Sequence, residues 1–159
     1  MLASTFIVAA LSLGAASPGQ SLVIDTVDLK GQAVTAKSLK GKVVVVDFWA
    51  SWCKPCAKSL PVYSELQKKY ADQGLEIIAV SIDDELENVQ RYLKDHTLGL
   101  RFVHDKDKSL VGRFEPPKMP TAYIVDREGT IRVVHGGWGD GDAKHFEADL
   151  LKYLGKKTK

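Results

Sequence analysis

Cysteine is scarce in this chain: of 159 residues only Cys53 and Cys56 carry a thiol. No second Cys pair exists, and the four histidines, His96, His104, His135 and His145, show no spacing that would complete a four-ligand zinc site around the first. An excess of one charge is missing too. The 22 basic and 20 acidic side chains leave a formal +2, which gives no electrostatic case for nucleic acid. Long apolar runs are lacking apart from residues 2–16, a length that fits the hydrophobic region of an export leader and is short for a membrane span. There is no internal repeat and no low-complexity block. What is present, 45 % hydrophobic and 26 % charged residues, fits one globular domain with an adequate core.

Small residues follow the first apolar run. Gly14, Ala15, Ala16 and Ser17 offer a cleavage region before Pro18, although no Lys or Arg precedes the run; an uncleaved anchor and a buried first helix are the alternatives. The expected organisation is a leader over residues 1–17, a folded domain over 22–155 and a basic tail at 156–159, which reads as a solvated terminus. A leader places the domain outside the cytoplasm, in an oxidising compartment where a dithiol needs an electron partner to stay reduced; without one, the domain is cytoplasmic.

The two cysteines sit in Trp52-Cys53-Lys54-Pro55-Cys56. As a structural staple, a loop this short contributes only about 2 kcal/mol in the chain-entropy model, and a domain of this length can bury a core without it. Reversible disulfide chemistry is the better reading. A thiol attacks as its thiolate, and a cysteine at the ordinary pKa is only about 3 % ionised at pH 7. An apolar strand-like run ends just before the motif and a helix-like pattern starts inside it, so Cys53 is expected at a helix N-terminus, where free N–H groups favour an anion. Lys54 adds a positive neighbour, and Pro55 suits a first helical turn. Cys53 is the expected nucleophile and Cys56, one turn further in, the resolving thiol.

Residues 22–42 hold two short alternating runs separated by Lys30-Gly31-Gln32, expected to form a β-hairpin. Residues 43–49 read as a central strand covered on both faces. Asp47 is its odd member: a buried carboxylate there has a raised pKa and is a candidate proton acceptor near the thiols. A helix follows with Leu60, Tyr63, Leu66 and Tyr70 on one face; Pro61 is expected to interrupt and kink it, and Gly74 to end it. Residues 75–82 form a second buried strand. The acidic cluster Asp83-Asp84-Glu85 follows; Asp84 with Glu87 resembles a capping arrangement, so capping of the next helix is the expected role of the cluster, with proton handling as the alternative if that strand end faces the thiols. A short strand at 100–103, a short helix around Leu110 and Phe114, a hairpin over 121–134 and a final helix opening near Asp142 complete the chain. Trp138, in a glycine-rich loop, is expected to pack against the sheet. The order points to a mixed α/β sheet with helices on both faces.

The run from Val46 to Cys56, VDFWASWCKPC, resembles the thioredoxin active-site segment, and the longer frame resembles the extracytoplasmic TlpA/ResA-type relatives. Gly41-Lys42-Val43, Pro61, Met119-Pro120-Thr121 and TAYIVDREGTIRVV carry that likeness across most of the chain. The resemblance implies a thioredoxin-like fold, a central mixed β-sheet flanked by helices on both faces, with an N-terminal β-hairpin extension. It implies that Pro120 is a cis-proline facing the disulfide, that Met119 offers backbone hydrogen bonds to an extended substrate, and that Trp52, Lys54 and Pro55 flank the nucleophile. Asp47 matches the buried acid of thioredoxins. Asp84 falls near an active-site Glu of ResA-type proteins and is kept as a second acid, whereas Ser59 stands where the subgroup usually has Glu.

The implied activity is thiol-disulfide exchange with no cofactor or metal beyond the Cys53–Cys56 disulfide. Implied partners are protein disulfides and dithiols, with a membrane electron donor and no nucleic acid; the chain is expected to be monomeric. Reduction of exported proteins, including cytochrome c maturation, is the expected direction. Two rivals remain. A thiol peroxidase on the same fold wants a peroxidatic Cys set after a Pro and a hydroxyl residue, and neither precedes Cys53 at such spacing. A Cu(I) chaperone could use paired thiolates, yet nearby Met or His ligands are lacking.

Overall fold

The computed structural model describes residues 14–155. Most of the expected leader and the tail at 156–159 lie outside the described residues. Among the described residues, no helix is long and apolar enough to cross a membrane.

The described residues form seven strands in two sheets. β1 (Asp25–Val27) and β2 (Ala33–Thr35) pair antiparallel as the expected N-terminal hairpin. β3 (Val43–Trp49), β4 (Leu75–Ser81), β5 (Arg101–His104), β6 (Thr121–Val125) and β7 (Ile131–Gly136) make the central sheet, in the order β5-β4-β3-β6-β7. β3 is parallel to β4 and antiparallel to β6. β4 is parallel to β5, and β6 pairs antiparallel with β7, so the sheet is mixed. Parallel neighbours need a long crossover. α1 (Lys54–Tyr70) supplies it between β3 and β4, and α2 (Leu86–Asp95) between β4 and β5.

All seven residues of β3 are buried because the strand is central and covered on both faces. Its odd-numbered residues Val43, Val45 and Trp49 meet Leu60 and Tyr63 of α1, Val89 of α2, and Phe146 and Leu150 of α4 (Asp142–Leu154). Its even-numbered residues Val44, Val46 and Phe48 meet Leu110 and Phe114 of α3 (Ser109–Phe114) and the N-terminal residues Leu22, Ile24, Val34 and Leu39.

The N-terminal extension is a strap across this second face. Ile131 donates to the Gln20 carbonyl at 2.9 Å on the β7 side, and Leu29 donates to the Phe102 carbonyl at 2.9 Å on the β5 side. Arg101 locks the β5 end, with Nε 2.7 Å from Asp28 Oδ2. Burial opposes ionisation of Asp28, but the amides of Gln32 and Lys30 and the Arg101 guanidinium outweigh it and hold the carboxyl below the usual range. Both outer strands of the sheet thereby gain hydrogen-bond partners that would otherwise be open edges.

Two local expectations need correction. α1 runs unbroken through Pro61: buried Leu60, Tyr63, Leu66 and Tyr70 pin it to the sheet on both sides of the proline, which outweighs one missing N–H bond. At the start of α2 the N-cap is Glu85, with no side-chain cap. Asp84 does not cap because its carboxylate turns to Lys108, 3.1 Å away. Gly74 closes the helical segment as expected, at φ 83°, where a residue with a Cβ is strained.

Candidate active site

β3 delivers the chain to its C-terminal end, and residues 50–52 turn it into α1. Cys53 donates its N–H to the Ala50 carbonyl at 3.1 Å and becomes the N-cap of α1, in extended conformation at φ −84°, ψ 104°. Its Sγ accepts the Cys56 amide N–H at 3.3 Å. A cap has to accept from the first-turn amides, so sulfur here does what an Asp or Ser oxygen does elsewhere. The cysteines are bonded to each other, with S–S 2.13 Å and Cα atoms 5.3 Å apart. Both cysteines are buried, Cys53 at 6 % exposure and Cys56 fully. Lys54 and Pro55 are exposed in the first turn, and Trp52 is 66 % exposed beside the disulfide.

Asp47 is fully buried two residues before the end of β3, on the α1 side of the sheet by the alternation of the strand. Neither carboxyl oxygen has a hydrogen-bond partner among the described residues. Burial alone drives its pKa well above the ordinary range, so the proton is held far more tightly than at the surface. Tyr63, on the face of α1 above it, is also pushed up, by burial first and by the charge of Asp47 second.

The Met119–Pro120 bond is cis, and Pro120 is buried. Thr121 pairs with Phe48, so Pro120 stands level with the end of β3, where the cysteine loop departs. Its carbonyl accepts from Gly137 N–H at 2.7 Å, and Met119 is partly buried against both cores. Ser59 is fully buried, its hydroxyl donating to the Cys56 carbonyl at 3.2 Å.

The acid that reaches the cysteine loop is Asp83, a member of the acidic cluster that the sequence does not single out, rather than Asp84. Asp83 accepts from Ser51 N–H at 2.9 Å, from the Ser51 hydroxyl at 2.5 Å and from the Ser81 hydroxyl at 2.7 Å, and it is 1 % exposed. Its own carbonyl lies 2.8 Å from His104 Nε2 and accepts from Lys108 Nζ at 3.0 Å. Asp84, the expected second acid, faces solvent with 89 % of its side chain exposed. The sequence carries part of the signal: Asp83 continues the inward parity of Leu75, Ile77 and Ala79, and although Glu85 shares that parity, Asp83 is the nearer to the strand's end at Ser81.

Comparison with known proteins fits this geometry. The model of the AhpC/TSA family matches residues 14–134. Thiol-disulfide oxidoreductase ResA of Bacillus cereus is 36 % identical over 125 residues, 79 % of this chain and 71 % of the relative. ResA of Bacillus subtilis is 29 % identical over 141 residues, 89 % of this chain and 78 % of that one. A Chlorobium tepidum structure described as a candidate thiol:disulfide interchange protein DsbE superposes with a TM-score of 0.84 at 27 % identity, covering 89 % of this chain and all of the other.

Proposed function

The chain belongs to the AhpC/TSA family, with ResA-type thiol-disulfide oxidoreductases among its relatives, and on that premise we propose how its site works and in which direction. It is a thiol-disulfide oxidoreductase acting on protein dithiols and disulfides. Cys53 attacks a substrate disulfide as its thiolate and forms a mixed disulfide. Cys56 then loses its proton to Asp47 and attacks Cys53, releasing the reduced product and leaving the Cys53–Cys56 disulfide. The observation that carries this reading is the hydrogen bond from the Cys56 amide to Cys53 Sγ at the start of α1, a donor already aimed at the sulfur that must bear charge.

Trp52, Lys54 and Pro55 form the rim a substrate meets, and Met119 with Pro120 borders it from β6. The disulfide itself is the only redox group required. We place the domain outside the cytoplasm as a monomeric reductant of exported proteins, cytochrome c maturation included, re-reduced by a membrane electron donor. The relatives named ResA and the leader-like residues 1–17 support that placement.

Direction is decided by the reduction potential. Related folds run from about −270 to about −120 mV, some 7 kcal/mol for two electrons. Equilibration of Cys53–Cys56 against glutathione is expected to give a value near the reducing end; one near the oxidising end overturns the reductant assignment. Cys56→Ser should accumulate mixed disulfides through Cys53 and Cys53→Ser should not, and the reverse pattern would exchange the roles of the two sulfurs.

A further inference from the structure

Asp47 lies in one cross-strand row with His135. Asp47 pairs with Ala122 across β3 and β6, and Ala122 pairs with His135 across β6 and β7, so all three side chains rise from the same face. On the other side of Asp47 the row continues to Ala79. Paired Cα atoms are about 5 Å apart, which puts those of Asp47 and His135 about 10 Å apart with only the methyl of Ala122 between. At that separation a bridge of about one or two waters would be needed to connect the two side chains.

The unpartnered atoms match the row. Among the described residues, both Asp47 oxygens and His135 Nδ1 are buried without a hydrogen-bond partner, and buried polar groups are rarely left so. The other imidazole nitrogen, Nε2, lies 3.9 Å from Oδ1 of Asp142. Asp142 is held in place by Gly139 N–H at 2.6 Å, and 31 % of its side chain meets solvent. Tyr63, Trp138 and Phe146 cover the row, with His135 ring contacts at 5.9 Å to Trp138 and 5.7 Å to Phe146. Among the described residues, the ionisable groups that face this region are Tyr63 of α1, which feels the charges of Asp47 and Asp142, Asp142 of α4 beside His135, Cys56 of α1 in the same core, and Lys118, whose Nζ lies beside Gly137; β4 pairs Ala79 with Asp47.

We propose that His135 is the proton-exchange partner of Asp47, linking the buried carboxyl through bridging water to Asp142 and the surface. The inference rests on the reading of Asp47 as the acceptor of the Cys56 proton. When Cys56 is oxidised, its S–H proton goes to Asp47 and the electron pair left on sulfur forms the bond to Cys53. Asp47 then passes the proton through water to Nδ1, while Nε2 gives one up to Asp142 and thence to solvent. On re-reduction the same path runs inward. Histidine suits the post because its two nitrogens can accept and donate near neutral pH. The charge of Asp47 also enters the environment of Tyr63 together with that of Asp142, as expected if both carboxylates border one shared space.

The test uses the full chain and the pH–rate profile of insulin reduction from about pH 5.5 to 8.5. His135→Phe keeps a ring against Trp138 and Phe146 but removes both nitrogens. It is expected to lower kcat about tenfold at neutral pH with KM unchanged, a fraction of what direct acid–base groups supply. Millimolar imidazole should restore His135→Ala, and His135→Phe should cause no further loss in an Asp47→Asn background. A wild-type profile for His135→Phe overturns the relay, as does an equal loss in both backgrounds or a failure of imidazole to restore His135→Ala. If Asp47→Asn is slow while His135→Phe is not, only the relay falls. If Asp47→Asn keeps the wild-type rate, the acceptor role of Asp47 falls and the relay with it.

Discussion

Asp83 grips Ser51 twice across 32 residues of chain, by its backbone amide at 2.9 Å and its hydroxyl at 2.5 Å. The end of β4 thereby holds the loop that presents Cys53. Removing a buried charged acceptor strands its donors, which costs about 1.5–3 kcal/mol per bond to a charged group. Asp83→Ala is expected to destabilise the protein by about 3 kcal/mol in urea titration and to slow disulfide exchange. Ser51→Ala should cost less, because the loop amide keeps its acceptor.

Asp47 makes stability depend on pH with a sign opposite to that of a paired surface acid. Its proton is bound more tightly in the folded protein than in the unfolded chain, so the full stability is present below the ordinary value of 3.8 and is lost as pH rises toward the raised folded value. Asp47→Asn should abolish that decline. In denaturant titrations of the oxidised protein, the variant is expected to gain stability over wild type at about pH 8 and nothing near pH 3.

Trp52 is 66 % exposed, so its packing contributes little to the fold. Trp52→Ala should move stability by less than about 0.5 kcal/mol. As an aromatic contact at the rim it should matter for protein substrates: KM for insulin is expected to rise about tenfold. The rate with a small soluble disulfide should be unchanged, and steady-state kinetics with the two substrates separate these effects.

Gly74 adopts φ 83°, and a Cβ there would stand 2.9 Å from Nη1 of Arg127. That guanidinium is itself engaged with the Gly41, Gln73 and Leu154 carbonyls. Gly74→Ala combines left-handed strain with this crowding, and thermal unfolding should report a loss of about 1–2 kcal/mol with the redox potential unchanged.

Local pattern made much of the fold legible. The unbroken run of β3, the helical spacing of α1 and the turn at Asp126 to Gly129 each announce themselves over a few residues. The helix-start position of Cys53 and the burial of Asp47 follow from the same short stretch. Asp84 was harder, since an acidic triplet after a strand reads equally well as a cap or as an acid near the thiols. Strand parity allows Asp83 and Glu85 alike, the strand's end at Ser81 favours Asp83, and where Asp84 points depends on Lys108, 24 residues away in sequence and 3.1 Å away in space. Pro61 misled for a related reason: local propensity predicts a break, and burial of the helix on both sides overrides it.

The sequence by itself determined the cysteine pair, its place between strand and helix, and the buried acid of the preceding strand, because each depends on neighbours within one or two turns of chain. Only the tertiary structure decided that Asp83 clamps the cysteine loop, that His135 shares a row with Asp47, and that the N-terminal strap binds both sides of the sheet. Those relationships are set by the register of strands far apart in the chain. A one-residue slip would turn the same side chains to the opposite face.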